Sequence, residues 1–136
     1  MKLGFWAIMS IALASAGASS AAAQQTTHGC ACLHNQTQAQ ISYRYKWGEG
    51  EWKTMQLKPG YNNWICWQYQ NGQKSSPNLL FQLDVDMSKG SAWTTYSIGR
   101  VQTVGASCDA VGAGGHYNVS YRPNTNNTFI QVTKRN

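Results

Sequence analysis

The sequence predicts an all-β fold, a small single-domain sandwich of about seven or eight short antiparallel strands braced by disulfides. Three observations predict it. Apolar and polar residues alternate with period two, as in Ile41-Ser42-Tyr43-Arg44-Tyr45-Lys46-Trp47, the pattern of a strand with one buried face. Turn residues such as Lys58-Pro59-Gly60, Asn71-Gly72 and Lys89-Gly90 interrupt the alternation at short intervals. Four cysteines, Cys30, Cys32, Cys66 and Cys108, all lie past the N-terminal leader; in a small exported domain an even count reads as two disulfides. A closed barrel of similar size is the alternative.

The leader comes first. Lys2 supplies a positive charge, Leu3 to Ala14 are mostly apolar, and small residues end at Ala21-Ala22-Ala23-Gln24. That order is a signal peptide, with cleavage expected after Ala23. The apolar run is shorter than the roughly 20 residues a spanning helix needs. The domains are therefore read as a cleaved leader over 1–23 and one sandwich over 24–136. An alanine-rich leader is bacterial in style, so the expected location is secreted or periplasmic. No transmembrane segment is expected in the mature chain.

The strands follow. An N-terminal strand carries Cys30 and Cys32. Ile41 to Trp47 places Ile41, Tyr43, Tyr45 and Trp47 inward, Gly48-Glu49-Gly50-Glu51 turns, and Trp52 to Leu57 returns. After Lys58-Pro59-Gly60 comes Tyr61 to Tyr69, in which Trp64 and Trp67 have opposite parity and so face opposite sides. Past Asn71-Gly72 and Ser75-Ser76-Pro77, the residues Leu79, Phe81, Leu83, Val85 and Met87 alternate with Leu80, Gln82, Asp84 and Asp86. Trp93 to Val104 reads as one or two strands with a bend at Gly99. The glycine-rich stretch 105–115 is expected to be the most mobile loop. Tyr117, Val119 and Tyr121 alternate again, and Phe129 to Lys134 ends the fold. No stretch after the leader has a helical period.

Joining Cys30 to Cys32 would close a tiny, strained ring. Of the two remaining pairings, Cys32–Cys66 with Cys30–Cys108 is the one favoured here.

Eleven basic residues face five acidic ones, a net charge of +6, or +5 once Lys2 leaves with the leader. A basic, aromatic-rich surface suits anionic partners, here an envelope glycan or another anionic polymer. The basic residues are scattered, with no run beyond Lys134-Arg135, so no specific nucleic acid is expected.

Several constellations resemble chemistry. His28, Cys30, Cys32 and His34 share one face of a strand and are zinc or copper ligand types. Disulfides would consume the thiols, and one residue between the cysteines is tighter than metal spacing, so no metal and no cofactor are expected. Asp84-Val85-Asp86 resembles the start of a calcium loop, but Lys89 and Thr95 stand where glycine and glutamate belong. The two aspartates are read instead as solvent-facing strand residues. His34 and His116 could serve as an acid–base pair on RNA, although nothing in their spacing brings them together. Three glycosylation sequons begin at Asn35, Asn118 and Asn126; they are read as chance matches.

The aromatic cluster is the most suggestive feature. Trp52, Trp64, Trp67 and Tyr69 are the candidate ligand-binding residues, because aromatic faces stack on sugars and anchor interfaces. The functional expectation is an exported, non-catalytic binding or envelope-associated module. The alternatives are a small secreted hydrolase, such as a basic nuclease, and an inhibitor or effector that docks on another protein.

Overall fold

A computed structural model of the chain describes residues 25–135. The leader read over 1–23 lies outside the described residues. Among the described residues nine strands run in chain order: β1 (His28–Asn35), β2 (Ile41–Trp47), β3 (Lys53–Leu57), β4 (Asn62–Gln68), β5 (Leu79–Asp84), β6 (Trp93–Tyr96), β7 (Val101–Thr103), β8 (His116–Tyr121) and β9 (Ile130–Lys134). They form two sheets packed together, with no closed barrel. One has the order β3-β2-β5-β6; the other has β4-β1-β8-β9, with β7 also pairing β1. Among the described residues no helix is long and apolar enough to cross a membrane.

Period-two alternation makes the core. Ile41, Tyr43, Phe81 and Leu83 from one sheet meet Ala31, Leu33, Ile65, Tyr117, Val119 and Ile130 from the other, all buried. Tyr45 and Trp47 pack against this cluster from its margin, as their parity requires. Each fully buried Leu, Ile or Phe contributes about 1.5–3 kcal/mol, so this layer is the main stabilising element of the fold.

The turns follow their residues. Gly60 sits at φ 78° and Asn71-Gly72 at 49° and 81°, the left-handed region that glycine and asparagine tolerate. The stretch 93–104 is two strands. Ile98 enters the core, and the chain then crosses from the sheet of β6 to the sheet of β7. Strand β5 stops at Asp84, yet Val85 is buried and Met87 packs on the core from the turn beyond it. The alternation in sequence outlasts the strand.

Strand β1 organises the second sheet. One edge pairs antiparallel with β4 at residues 28–34; the other pairs antiparallel with β7 at residues 28–30 and parallel with β8 at residues 32–35. Alternation does not encode strand direction, so the parallel ladder departs from the all-antiparallel expectation. A parallel pair needs a long crossover, and here everything from β2 to β7 supplies it.

The sequon at Asn35 is a structural knot. Asn35 is buried; its side-chain amide donates to the carbonyls of Ala39 and Leu57, at 2.8 and 2.9 Å, and its Oδ1 accepts from the Thr37 hydroxyl at 2.7 Å. Its nitrogen is occupied, and it fixes the passage from β1 of one sheet into β2 of the other.

Candidate functional site

The outer face of the β3-β2-β5-β6 sheet carries a cationic and aromatic patch. Register brings Thr54, Arg44, Gln82 and Thr95 into one row across four strands, because Arg44 lies opposite both Thr54 and Gln82, and Gln82 opposite Thr95. Thr95 and Gln82 aim the arginine: Gln82 Nε2 donates to Thr95 Oγ1 at 3.1 Å, and Arg44 Nε donates to Gln82 Oε1 at 2.7 Å. The Arg44 guanidinium lies 4.6 Å from the ring centroids of both Trp52 and Trp93, and Lys46 Nζ lies 5.0 Å from that of Trp52. Each such cation–π contact stabilises by about 0.5–1 kcal/mol at an exposed site. Two indoles and one amide thus contact the arginine, while its terminal amino groups have no protein acceptor among the described residues.

Asp84, opposite Trp93 on β6, shares that face but is enclosed by its own connection. Asp84 is fully buried, and its carboxylate accepts the backbone N–H groups of Gly90 and Ala92, at 2.6 and 3.1 Å, and the Ser88 hydroxyl at 3.2 Å. This corrects the solvent-facing reading of Asp84. The alternating position is right, but the β5–β6 connection folds back over the carboxylate and uses it as its brace. Asp86 accepts from the hydroxyl and backbone N–H of Ser88, which holds its carboxyl below the usual carboxylate range.

The four expected ligand residues do not converge. Trp52 belongs to the cationic patch. Trp64 is 47% exposed on the outer face of the opposite sheet, next to Cys32 in register. Trp67 turns to the sandwich margin, its ring 5.8 Å from that of Trp47, with Nε1 donating to Gln73 at 3.3 Å. Tyr69 lines a pocket of about 200 Å³ with Lys74, Ser76, Arg100 and Gln102. Opposite parity of Trp64 and Trp67 was legible in the sequence. Arg44, Lys46 and Trp93 were missed, because only cross-strand register makes them neighbours.

The disulfides are Cys30–Cys66 and Cys32–Cys108, which corrects the expected pairing Cys32–Cys66 with Cys30–Cys108. In the β1–β4 ladder Cys30 lies opposite Cys66 and Cys32 opposite Trp64. The expected pairing corresponds to a slip of two residues, which leaves every side chain on its own face. Hydrophobic alternation is blind to such a slip. The Asn35 N–H donating to the Tyr61 carbonyl, and the Gly60 N–H to that of Asn35, both at 2.9 Å, fix the register instead.

The β1–β8 ladder brings two histidines together, although their spacing in sequence gave no hint of it. Cys32 lies opposite His116 and His34 opposite Asn118, so the imidazoles meet across the strands with His34 Nε2 2.8 Å from His116 Nδ1. His116 Nε2 is 2.8 Å from the Val111 carbonyl. A carbonyl only accepts, so the proton of neutral His116 is on Nε2, and Nδ1 accepts from the Nε2–H of His34. Burial, the Arg135 guanidinium and His116 hold His34 below the ordinary histidine range. The Arg135 Nε itself donates to Asn118 Oδ1 at 2.9 Å. The two imidazoles of the pair considered for a nuclease are thus hydrogen-bonded to each other.

No protein-family model, curated protein or solved structure matches the chain.

Proposed function

We propose that the protein is an exported, non-catalytic binding module that takes an acidic polysaccharide of the cell envelope on the Arg44 face. The observation that carries this reading is the Arg44 fork, 4.6 Å from the rings of both Trp52 and Trp93, with no acceptor for its terminal amino groups among the described residues. A planar guanidinium recognises a carboxylate bidentately, and here its orientation is fixed before any ligand arrives, which lowers the ordering cost of binding. Lys46 adds a second charge along the same indole, and the exposed parts of Trp52 and Trp93 offer apolar surface to sugar C–H groups. The net charge of +6 for the whole chain, or +5 without Lys2 of the leader, supports long-range attraction of a polyanion. Export is supported by the charged, apolar and small-residue order of the N-terminus and by two disulfides, which persist in oxidising compartments.

The test is titration of the oxidised protein with a carboxylated polysaccharide and with the same polymer after its carboxyls are reduced to alcohols. Wild type should bind the first and not the second. Arg44→Gln and Trp52→Ala should each weaken binding about tenfold or more, and Arg44→Lys should fall between, since it keeps the charge and loses the fork. Equal binding of the two polymers, or an Arg44→Gln variant indistinguishable from wild type, would refute the proposal.

A further inference from the structure

The histidine pair carries a second proposal, on the opposite outer face and independent of the Arg44 reading. Three potential ligand atoms, Cys32 Sγ, His34 Nε2 and His116 Nδ1, lie within 4.8 Å of one another. The sulfur is 3.4 Å from His34 Nε2, and the two nitrogens are 2.8 Å apart. Zinc bonds of about 2.0–2.1 Å to nitrogen and 2.3 Å to sulfur, at tetrahedral angles, place two nitrogens about 3.3 Å apart and a nitrogen and sulfur about 3.5 Å apart. The sulfur–nitrogen spacing already fits, and the imidazoles need to part by only about 0.5 Å. His116 is also oriented as a ligand: its Nε2–H donates to the Val111 carbonyl at 2.8 Å, leaving Nδ1 as the donor lone pair, the outer contact that metal-bound histidines ordinarily make.

We propose that His34 and His116 form a metal site for zinc or copper, and that opening the Cys32–Cys108 bridge completes it with the Cys32 thiolate. In the oxidised protein the site is bidentate: on binding, the proton that His34 carries on Nε2 passes through solvent to Nδ1, which frees Nε2 as a lone pair, a disulfide sulfur offers no thiolate, and water takes the remaining positions. A dithiol reductant supplies two electrons and two protons. The Cys32–Cys108 S–S bond breaks, both cysteines become thiols, and the reductant closes its own disulfide. The metal then displaces the Cys32 thiol proton to solvent and gains a sulfur ligand. Two imidazoles and one thiolate form a donor set that zinc and copper favour over harder ions. Cys108 is freed from β1 in the same event, while Val111 stays packed and keeps its contact with His116, so metal uptake and the release of Cys108 are linked to one redox step.

Two measurements test this. In the first, oxidised wild-type protein is titrated with Cu²⁺ and followed by NMR. Signals of His34 and His116 should broaden together, ahead of those of His28, and His34→Gln should abolish the effect at His116. If the pair does not broaden, or if His28 responds first, the site does not exist. In the second, Cys108→Ser frees Cys32 while leaving Cys30–Cys66 closed. Co²⁺, used in place of zinc, should bind this variant at least tenfold more tightly than it binds oxidised wild type, with a thiolate-to-cobalt absorption band that His116→Gln removes. Absence of the band, or loss of strand circular dichroism in Cys108→Ser before metal is added, would overturn the thiolate ligand.

Discussion

Tyr43 combines the two demands on a buried tyrosine. Its ring is fully buried, stacked 5.7 Å from Phe81, while its hydroxyl accepts from Asn63 Nδ2 at 2.8 Å. Burial pushes its phenol up to about 12 from the ordinary 10, and the Asn63 hydrogen bond only partly opposes this. A raised acid pKa means the unfolded chain releases its proton first as pH rises. The stabilisation is therefore fully present below pH 10 and is lost as pH climbs through about 12. Its size is on the order of 2 kcal/mol. Denaturant titrations between those two pH values should show wild type losing stability more steeply than Tyr43→Phe, which has no phenol to ionise. Parallel slopes would place the phenol in a wetter setting than this. Asn35 and Asp84 follow the same rule: a polar group enters the interior only where several partners meet it, and each of the two ties a connection between strands.

At the scale of the element, the stretch 105–115 is anchored although its composition reads as mobile. Val111 is buried against Cys30 and Cys32, and the Cys32 N–H donates to the Gly115 carbonyl at 2.8 Å. Gly115 permits this seat. A Cβ there would stand 2.5 Å from Val111 Cγ1 and 2.9 Å from Val101 Cγ2, whereas one at Gly112 would meet nothing. Gly115→Ala should therefore cost about 1–3 kcal/mol by overpacking, and Gly112→Ala should stay within about 0.5 kcal/mol. Denaturation midpoints of the two variants check this; equal midpoints would mean that the loop does not rest on β7. What the sequence conveyed at this scale follows from the same physics. Period two placed Ile41, Tyr43, Phe81, Leu83, Tyr117 and Val119 inward, because that signal is local to each strand. It could not convey that β1 and β8 run parallel, that Arg44 lies between Trp52 and Trp93, or that His34 meets His116. Each of those depends on which strands become neighbours and in what register, and residues far apart in the chain settle that together.

For the whole molecule, the two disulfides act on different parts of the topology. Cys30–Cys66 closes a span of 36 residues between strands already joined by a full ladder. Cys32–Cys108 closes a span of 76 residues and fastens the 105–115 stretch to the outer face of the β1 sheet. In the chain-entropy account each restricts the unfolded chain by about 4 kcal/mol, and the longer span exceeds the shorter by less than about 1 kcal/mol. Replacing both cysteines of either pair by serine should thus lower unfolding free energy by a similar amount, read from denaturation curves of equal slope. The structural consequences should differ. Losing Cys30–Cys66 leaves the β1–β4 hydrogen bonds in place, so amide exchange along that ladder should stay slow relative to global unfolding. Losing Cys32–Cys108 should speed exchange selectively in residues 105–115, because that bridge is the covalent tie of the segment to β1. Peptide mapping of the native protein decides the premise. A fragment joining Cys32 to Cys66 would require β1 to have slipped two residues along β4, separating Asn35 from Tyr61 and undoing the turn at Gly60 on which the connection between the sheets rests.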